Sequence, residues 1–142
     1  AIQTTASTSE GAQYVYCKKL VKNETGERPL YTGYHSNVSA FYYGTLIIGD
    51  QFDGNFDGYS ALDTNIPLNS LKEPTAFDSP TTFGVSEVLP GWTAALQLIR
   101  TGERWMLYIP WQSAYGSSGS SDGNIIGYTA LTFDLVLERI VE

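Results

Sequence analysis

The sequence predicts an α+β domain in which one helix crosses an antiparallel, strongly twisted sheet, and three observations carry that prediction. Aromatic and β-branched runs recur along the chain, bounded by Gly, Pro, Asn and Asp. Only one segment repeats its apolar residues at helical spacing. The composition, 42% hydrophobic with 14 Gly, 10 Tyr and 6 Phe in 142 residues, suits strands joined by turns and a core large enough for one ordinary domain.

Residues 1–13 are small and polar and are expected to form a flexible leader, either the stalk of an exported protein or a trimmed N-terminus. Residues 14–21, Tyr14 to Val21, mix aromatic and β-branched residues with lysines and read as a partly exposed strand ending at the turn-type cluster Asn23-Glu24-Thr25-Gly26. A second β-rich run extends from Asn37 to Ile48; its aromatics project to both faces, so both faces are expected to be covered. From Asp50 to Pro80 periodicity dissolves into Gly, Asp, Asn, Ser and Pro, which predicts a long surface excursion.

The helix follows Pro90-Gly91: Trp92, Ala95, Leu96 and Ile99 fall at i, i+3, i+4 and i+7, with Gly102 as its stop. In Glu103 to Ile109, alternation puts Trp105, Leu107 and Ile109 on one face before Pro110 ends the strand. A Gly- and Ser-rich loop covers Gln112 to Gly127, and the run Gly116 to Gly123 reads as a mobile flap. The last strand, Ala130 to Leu137, places Leu131, Phe133, Leu135 and Leu137 on one side and Thr132, Asp134 and Glu138 mostly on the other.

Charge narrows the function classes. Eight Lys and Arg against fifteen Asp and Glu give a net charge of −7, which repels a phosphate backbone and argues against nucleic acid as a partner. No apolar run approaches the ~20 residues that span a bilayer, so no transmembrane segment is expected. The single Cys17 has no second cysteine for an internal disulfide or thiolate metal site. The stretch from Asp53 to Gly58 opens like a calcium loop, but its twelfth position is Thr64 and no amphipathic helix flanks it, so a turn is the better reading and no metal is expected. His35, the one histidine, belongs to no Ser/His/Asp constellation and reads as a solvated loop residue.

Five blocks in the second half, Val88-Leu89-Pro90-Gly91-Trp92, Gly102-Glu103, Tyr108-Ile109-Pro110, Ala114-Tyr115-Gly116 and Leu131-Thr132-Phe133-Asp134, together resemble the FKBP-type peptidyl-prolyl cis-trans isomerases. Upstream, Tyr42-Tyr43-Gly44-Thr45-Leu46 followed by Phe52-Asp53 looks like that family's pocket tyrosine and its Phe-Asp pair. The resemblance spans roughly residues 14 to 142 and implies a five- to six-stranded antiparallel half-barrel wrapped around one short helix, with an insertion at about 54–80. It implies an aromatic cleft, no cofactor, and proline-containing polypeptides as substrates, with rapamycin-type macrolides as possible ligands.

By motif position the resemblance assigns Tyr42, Phe52, Asp53, Tyr115 and Phe133 to catalysis and Val88, Leu89, Trp92 and Ile125 to substrate binding. Trp92 is expected to floor the cleft, with Tyr42, Phe52 and Phe133 as walls. The Tyr115 hydroxyl and the Ile125 backbone N–H are expected to donate to substrate carbonyls, and Asp53 to orient Tyr42 or face the rotating carbonyl. A second pair, Phe77-Asp78, competes for the position of Phe52-Asp53, which the spacing from Leu46 favours.

These expectations add up to a monomeric isomerase that assists folding, exported to the periplasm or held at the cell envelope as a lipoprotein. Two other readings stay open: the same fold as a peptide-binding or chaperone module with little turnover, and an acidic β-rich adhesion or carbohydrate-binding domain displaying its tyrosines.

Overall fold

The computed structural model describes residues 1–8 and 11–141. Seven strands form one antiparallel sheet: β1 (Ile2–Thr8), β2 (Gly11–Val21), β3 (Asn37–Leu46), β4 (Gln51–Gly54), β5 (Thr81–Gly84), β6 (Arg104–Ile109) and β7 (Leu131–Val141). Their spatial order is β1-β2-β6-β7-β3-β4, with β5 also on β3. β4 pairs with Tyr43 to Thr45 and β5 with Asn37 to Ala40, so the two are halves of one edge line beside β3, and residues 55–80 leave and re-enter the sheet between them. This split edge and β1 account for seven strands where five or six were expected.

The front face carries the main core. Trp105, Leu107 and Ile109 of β6 join Leu131, Phe133, Leu135 and Leu137 of β7, the faces that alternation predicts, and α1 (Pro90–Leu96) lies on them. Pro90 takes the first helical position, where its missing N–H costs nothing. Thr93 Oγ1 donates to the Val85 carbonyl at 2.7 Å, tying α1 to the 3-10 turn Val85–Glu87 before it. Gly91 is required by contact: a Cβ there would stand 2.6 Å from Ile109 Cγ2, so only glycine lets this end of the helix approach the sheet so closely.

Three expectations need correction. Residues 2–8 are a strand, not a flexible leader: Ile2 pairs with Val15 and Thr8 with Gly11, Ile2 packs on the core, and buried Thr4 shares a 2.7 Å hydrogen bond with Ser113 Oγ. Three of the four residues Ile2-Gln3-Thr4-Thr5 are β-branched, and β2 supplies the pairing partner. The helix stops at Leu96, short of Ile99: the Ala95 carbonyl accepts from both Leu98 and Ile99, turning the chain, and Ile99 reaches the core from outside the helix.

The third concerns residues 55–80, which are no mere surface excursion. Their Tyr59 and Ile66 pack with Leu20 of β2 and Met106 of β6 in a second core on the back of the sheet. Phe56 is buried as well, edge-on to Phe41 of β3. Among the described residues no helix is long and apolar enough to cross a membrane.

Candidate functional site

A cavity of about 450 Å³ opens between α1 and the front of the sheet, within the range typical of small-ligand sites. Most of its lining comes from sheet and helix rather than flexible loops. Tyr42 and Phe133 point to the same face because β3 and β7 pair Tyr42 with Leu135 and Gly44 with Phe133, two positions apart. Gly44 leaves room for the wall: a Cβ there would lie 2.8 Å from Phe133 Cε1 and 3.0 Å from Phe52 Cζ.

β4 contributes two adjacent residues, which a regular strand would send to opposite faces. Gly44 pairs with Asp53 while Thr45 pairs with Gln51, so one extra residue stands in β4. This bulge turns both Phe52 and Asp53 into the cavity. Phe77, by contrast, is 99% exposed, and Asp78 accepts from the Thr75 N–H at 2.7 Å in a turn of its own. Phe52-Asp53 therefore occupies the cavity and Phe77-Asp78 does not.

Trp92 is only 3% exposed and forms the floor. Its ring meets Tyr42 at 5.4 Å and Phe133 at 5.2 Å, both nearly perpendicular, and Phe83 of β5 at 5.1 Å. Phe133 in turn meets Phe52 edge-on at 5.6 Å. Edge-to-face packing fixes each ring against the next, so the trough is rigid before anything enters it. Val88, Leu89 and Tyr115 complete the expected lining.

Polar groups are few. The Tyr42 hydroxyl donates to Asp53 Oδ1 at 2.9 Å, and the Gly54 N–H donates to the same oxygen at 2.8 Å. Burial raises the Tyr42 phenol well above its ordinary value, and the Asp53 carboxylate adds to the effect through hydrogen bond and charge. Tyr115 is raised as well, by burial first and then by the negative charges of Asp53 and Asp122. Both phenols thus stay protonated, as donors, throughout the neutral range.

The folded chain holds those protons where an unfolded chain begins to release them, near pH 10. The stability they contribute is full below that pH and is lost as pH rises toward the folded values. Asp53→Asn is expected to lower the Tyr42 pKa, leaving chiefly the part due to burial, with a smaller one due to Tyr115; tyrosinate absorbance during alkaline titration checks this. An unchanged titration would mean that Asp53 does not bear on Tyr42.

Ile125 departs from expectation. It is buried, packs in the main core and contributes nothing to the cavity lining. Its N–H donates to Ser120 Oγ at 2.9 Å, so it is not available to a substrate carbonyl. The loop that carries it is tied to itself: Ser120 N–H reaches the Ile125 carbonyl at 2.8 Å and Tyr128 N–H the Gly116 carbonyl at 2.9 Å.

Residues not foreseen from sequence also line the cavity: Phe83, Glu87 and Pro90. Thr81-Thr82-Phe83, bounded by Pro80 and Gly84, carried a short strand signal that the preceding irregular stretch obscured. The calcium-like residues diverge. Asn55 receives the Tyr42 N–H at 2.8 Å and donates to the Ala40 carbonyl and Thr81 Oγ1, both at 3.0 Å, bridging the gap between β4 and β5. Asp57 faces Lys72 at 4.0 Å.

Against known proteins, the family model for FKBP-type peptidyl-prolyl cis-trans isomerase matches residues 33–138. A protein of Trypanosoma cruzi named macrophage infectivity potentiator is 49% identical over 76 residues, covering 49% of this chain and 38% of that protein. Outer membrane protein MIP of Legionella longbeachae is 35% identical over 106 residues, 75% of this chain and 34% of that one. The chain thus spans well under half the length of these relatives. The crystal structure of a peptidyl-prolyl cis-trans isomerase from Pseudomonas syringae superposes with a TM-score of 0.66 at 30% identity, over 90% of this chain and 76% of that one.

Proposed function

Because the chain belongs to the FKBP-type peptidyl-prolyl cis-trans isomerase family, we propose that its cleft catalyses rotation about X–Pro bonds of polypeptides and so assists their folding. The observation that carries this reading is the closed set of aromatic rings around Trp92, with a cavity of about 450 Å³ above it. Rotation must cross a barrier of ~18–20 kcal/mol, because amide resonance resists leaving the plane. Resonance is lost in the twisted amide, and with it charge separation; a dry, apolar trough therefore favours the twisted form over the planar one. Neither a nucleophile nor a cofactor enters.

In this reading the prolyl ring rests on Trp92 between Tyr42, Phe52 and Phe133. Val88 and Leu89 hold the neighbouring residues, and the protonated Tyr115 hydroxyl donates to a substrate carbonyl. Asp53 acts on Tyr42, holding the ring in place through the 2.9 Å bond, and transfers no proton. Preset donors around a rotating bond stabilise it without reorganising at the moment of rotation. Export to the cell envelope is part of the proposal and draws its support from the relative named an outer membrane protein.

The test is the cis-to-trans rate of a proline-containing tetrapeptide with and without the protein. We expect acceleration in proportion to protein concentration, competition by a rapamycin-type macrolide, and roughly a tenfold lower kcat/KM for Tyr115→Phe, the loss of about one neutral hydrogen bond. Binding of the peptide without acceleration would leave a peptide-binding module instead.

A further inference from the structure

The mouth of the cleft is one-signed. Asp53 stands on it from β4 and Glu87 from the 3-10 turn before α1, and both are exposed. Both hydrogen bonds to the Asp53 carboxylate fall on Oδ1, so among the described residues Oδ2 accepts none. The Glu87 carboxylate likewise makes no hydrogen bond or ion pair among the described residues.

Among the described residues no cation balances them: none of the eight Lys and Arg lines the cavity. Arg104 is spent on Asp134 in the back core, Lys72 lies on the back beside Asp57, and Arg100 and Arg28 bond to the backbone at Gly26 and Leu98. A polypeptide entering the trough therefore meets unpaired carboxylates on two sides of an apolar floor. The faces of Tyr42, Phe83 and Trp92 attract cations too.

Resting on the isomerase reading above, we propose that Glu87 and Asp53 make this cleft favour X–Pro segments carrying a lysine or arginine beside the proline over acidic ones. The carboxylates are exposed, so each acts through a screened field and contributes modestly; the selectivity is their sum and falls with salt. Glu87 is the principal determinant, because unlike Asp53 its carboxylate makes no hydrogen bond among the described residues.

The experiment compares kcat/KM for three tetrapeptides that differ only before proline, with Lys, Leu or Glu, at low and at high ionic strength. We expect Lys over Glu by roughly threefold to tenfold at low salt, the ratio falling toward one at high salt. Glu87→Gln should narrow the Lys-to-Glu ratio, and adding Asp53→Asn should remove most of what remains. Equal turnover of all three peptides at low salt would overturn the selectivity and leave the isomerase reading standing. Turnover of none would overturn both.

Discussion

Replacing Asp134 with leucine while Arg104 remains will destabilise the domain by about 3–5 kcal/mol, because it strands a buried guanidinium. The pair is fully enclosed, at 2% and 0% exposure. Arg104 Nε and Nη2 donate to the two Asp134 oxygens at 2.8 and 2.7 Å. The guanidinium lies 5.4 Å from the ring centres of both Phe56 and Tyr59 and bonds the Lys72 carbonyl, while Asp134 also accepts from the Tyr59 N–H at 2.9 Å. One ion pair thus clamps residues 55–80 to the back of β6 and β7.

The double replacement Arg104→Met with Asp134→Leu should recover part of that loss, leaving mainly the buried, unpaired Tyr59 N–H, about 1–3 kcal/mol. Urea denaturation of Asp134→Leu, of Arg104→Met and of the double variant measures the series. A double variant as unstable as either single one would mean that the pair contributes net stability over its desolvation. Because Asp134 follows the cleft residue Phe133 on β7, loosening the clamp should also lower isomerisation.

The second large effect is on catalysis. Gly44→Val places a branched side chain where a Cβ alone would already stand 2.8 Å from Phe133. Phe133 and Phe52 must shift apart, and Trp92 loses the edge contact that holds it. Misplacement of reacting groups by about 1 Å costs on the order of a hundredfold in rate. Overpacking itself costs roughly 1–3 kcal/mol. We therefore expect kcat/KM to fall about a hundredfold in a domain that still folds, read from the tetrapeptide assay beside a thermal melt. A variant that loses stability with its cleft activity intact would show that the ring arrangement is not what accelerates rotation.

Much of this was legible because it follows from period. Alternation in β6 and β7 marks the front core, and the apolar stripe from Trp92 marks the helix that lies on it. What escaped has a physical reason in each case. Residues 55–80 have no period because they form no element, yet they bury Phe56, Tyr59 and Ile66. Asp134 falls at an outward position of its strand, and only the packing of that segment makes outward mean buried. The β4 bulge is a single extra residue, with no marker beyond the Phe-Asp pair itself. The Ile125 N–H depends on where one serine in a Gly-rich loop turns its hydroxyl, which composition does not record.

The central claim is that a preset aromatic trough turns the X–Pro amide by environment alone. Its most direct test is the rate of cis-to-trans exchange of a Leu-Pro tetrapeptide catalysed by this protein in H₂O and in D₂O. The account predicts acceleration over the uncatalysed rate with a ratio near one between the solvents, since no proton moves during rotation. A peptide that binds without acceleration, or a ratio of about two or more of the kind that rate-limiting proton transfer by a general acid or base produces, would contradict it.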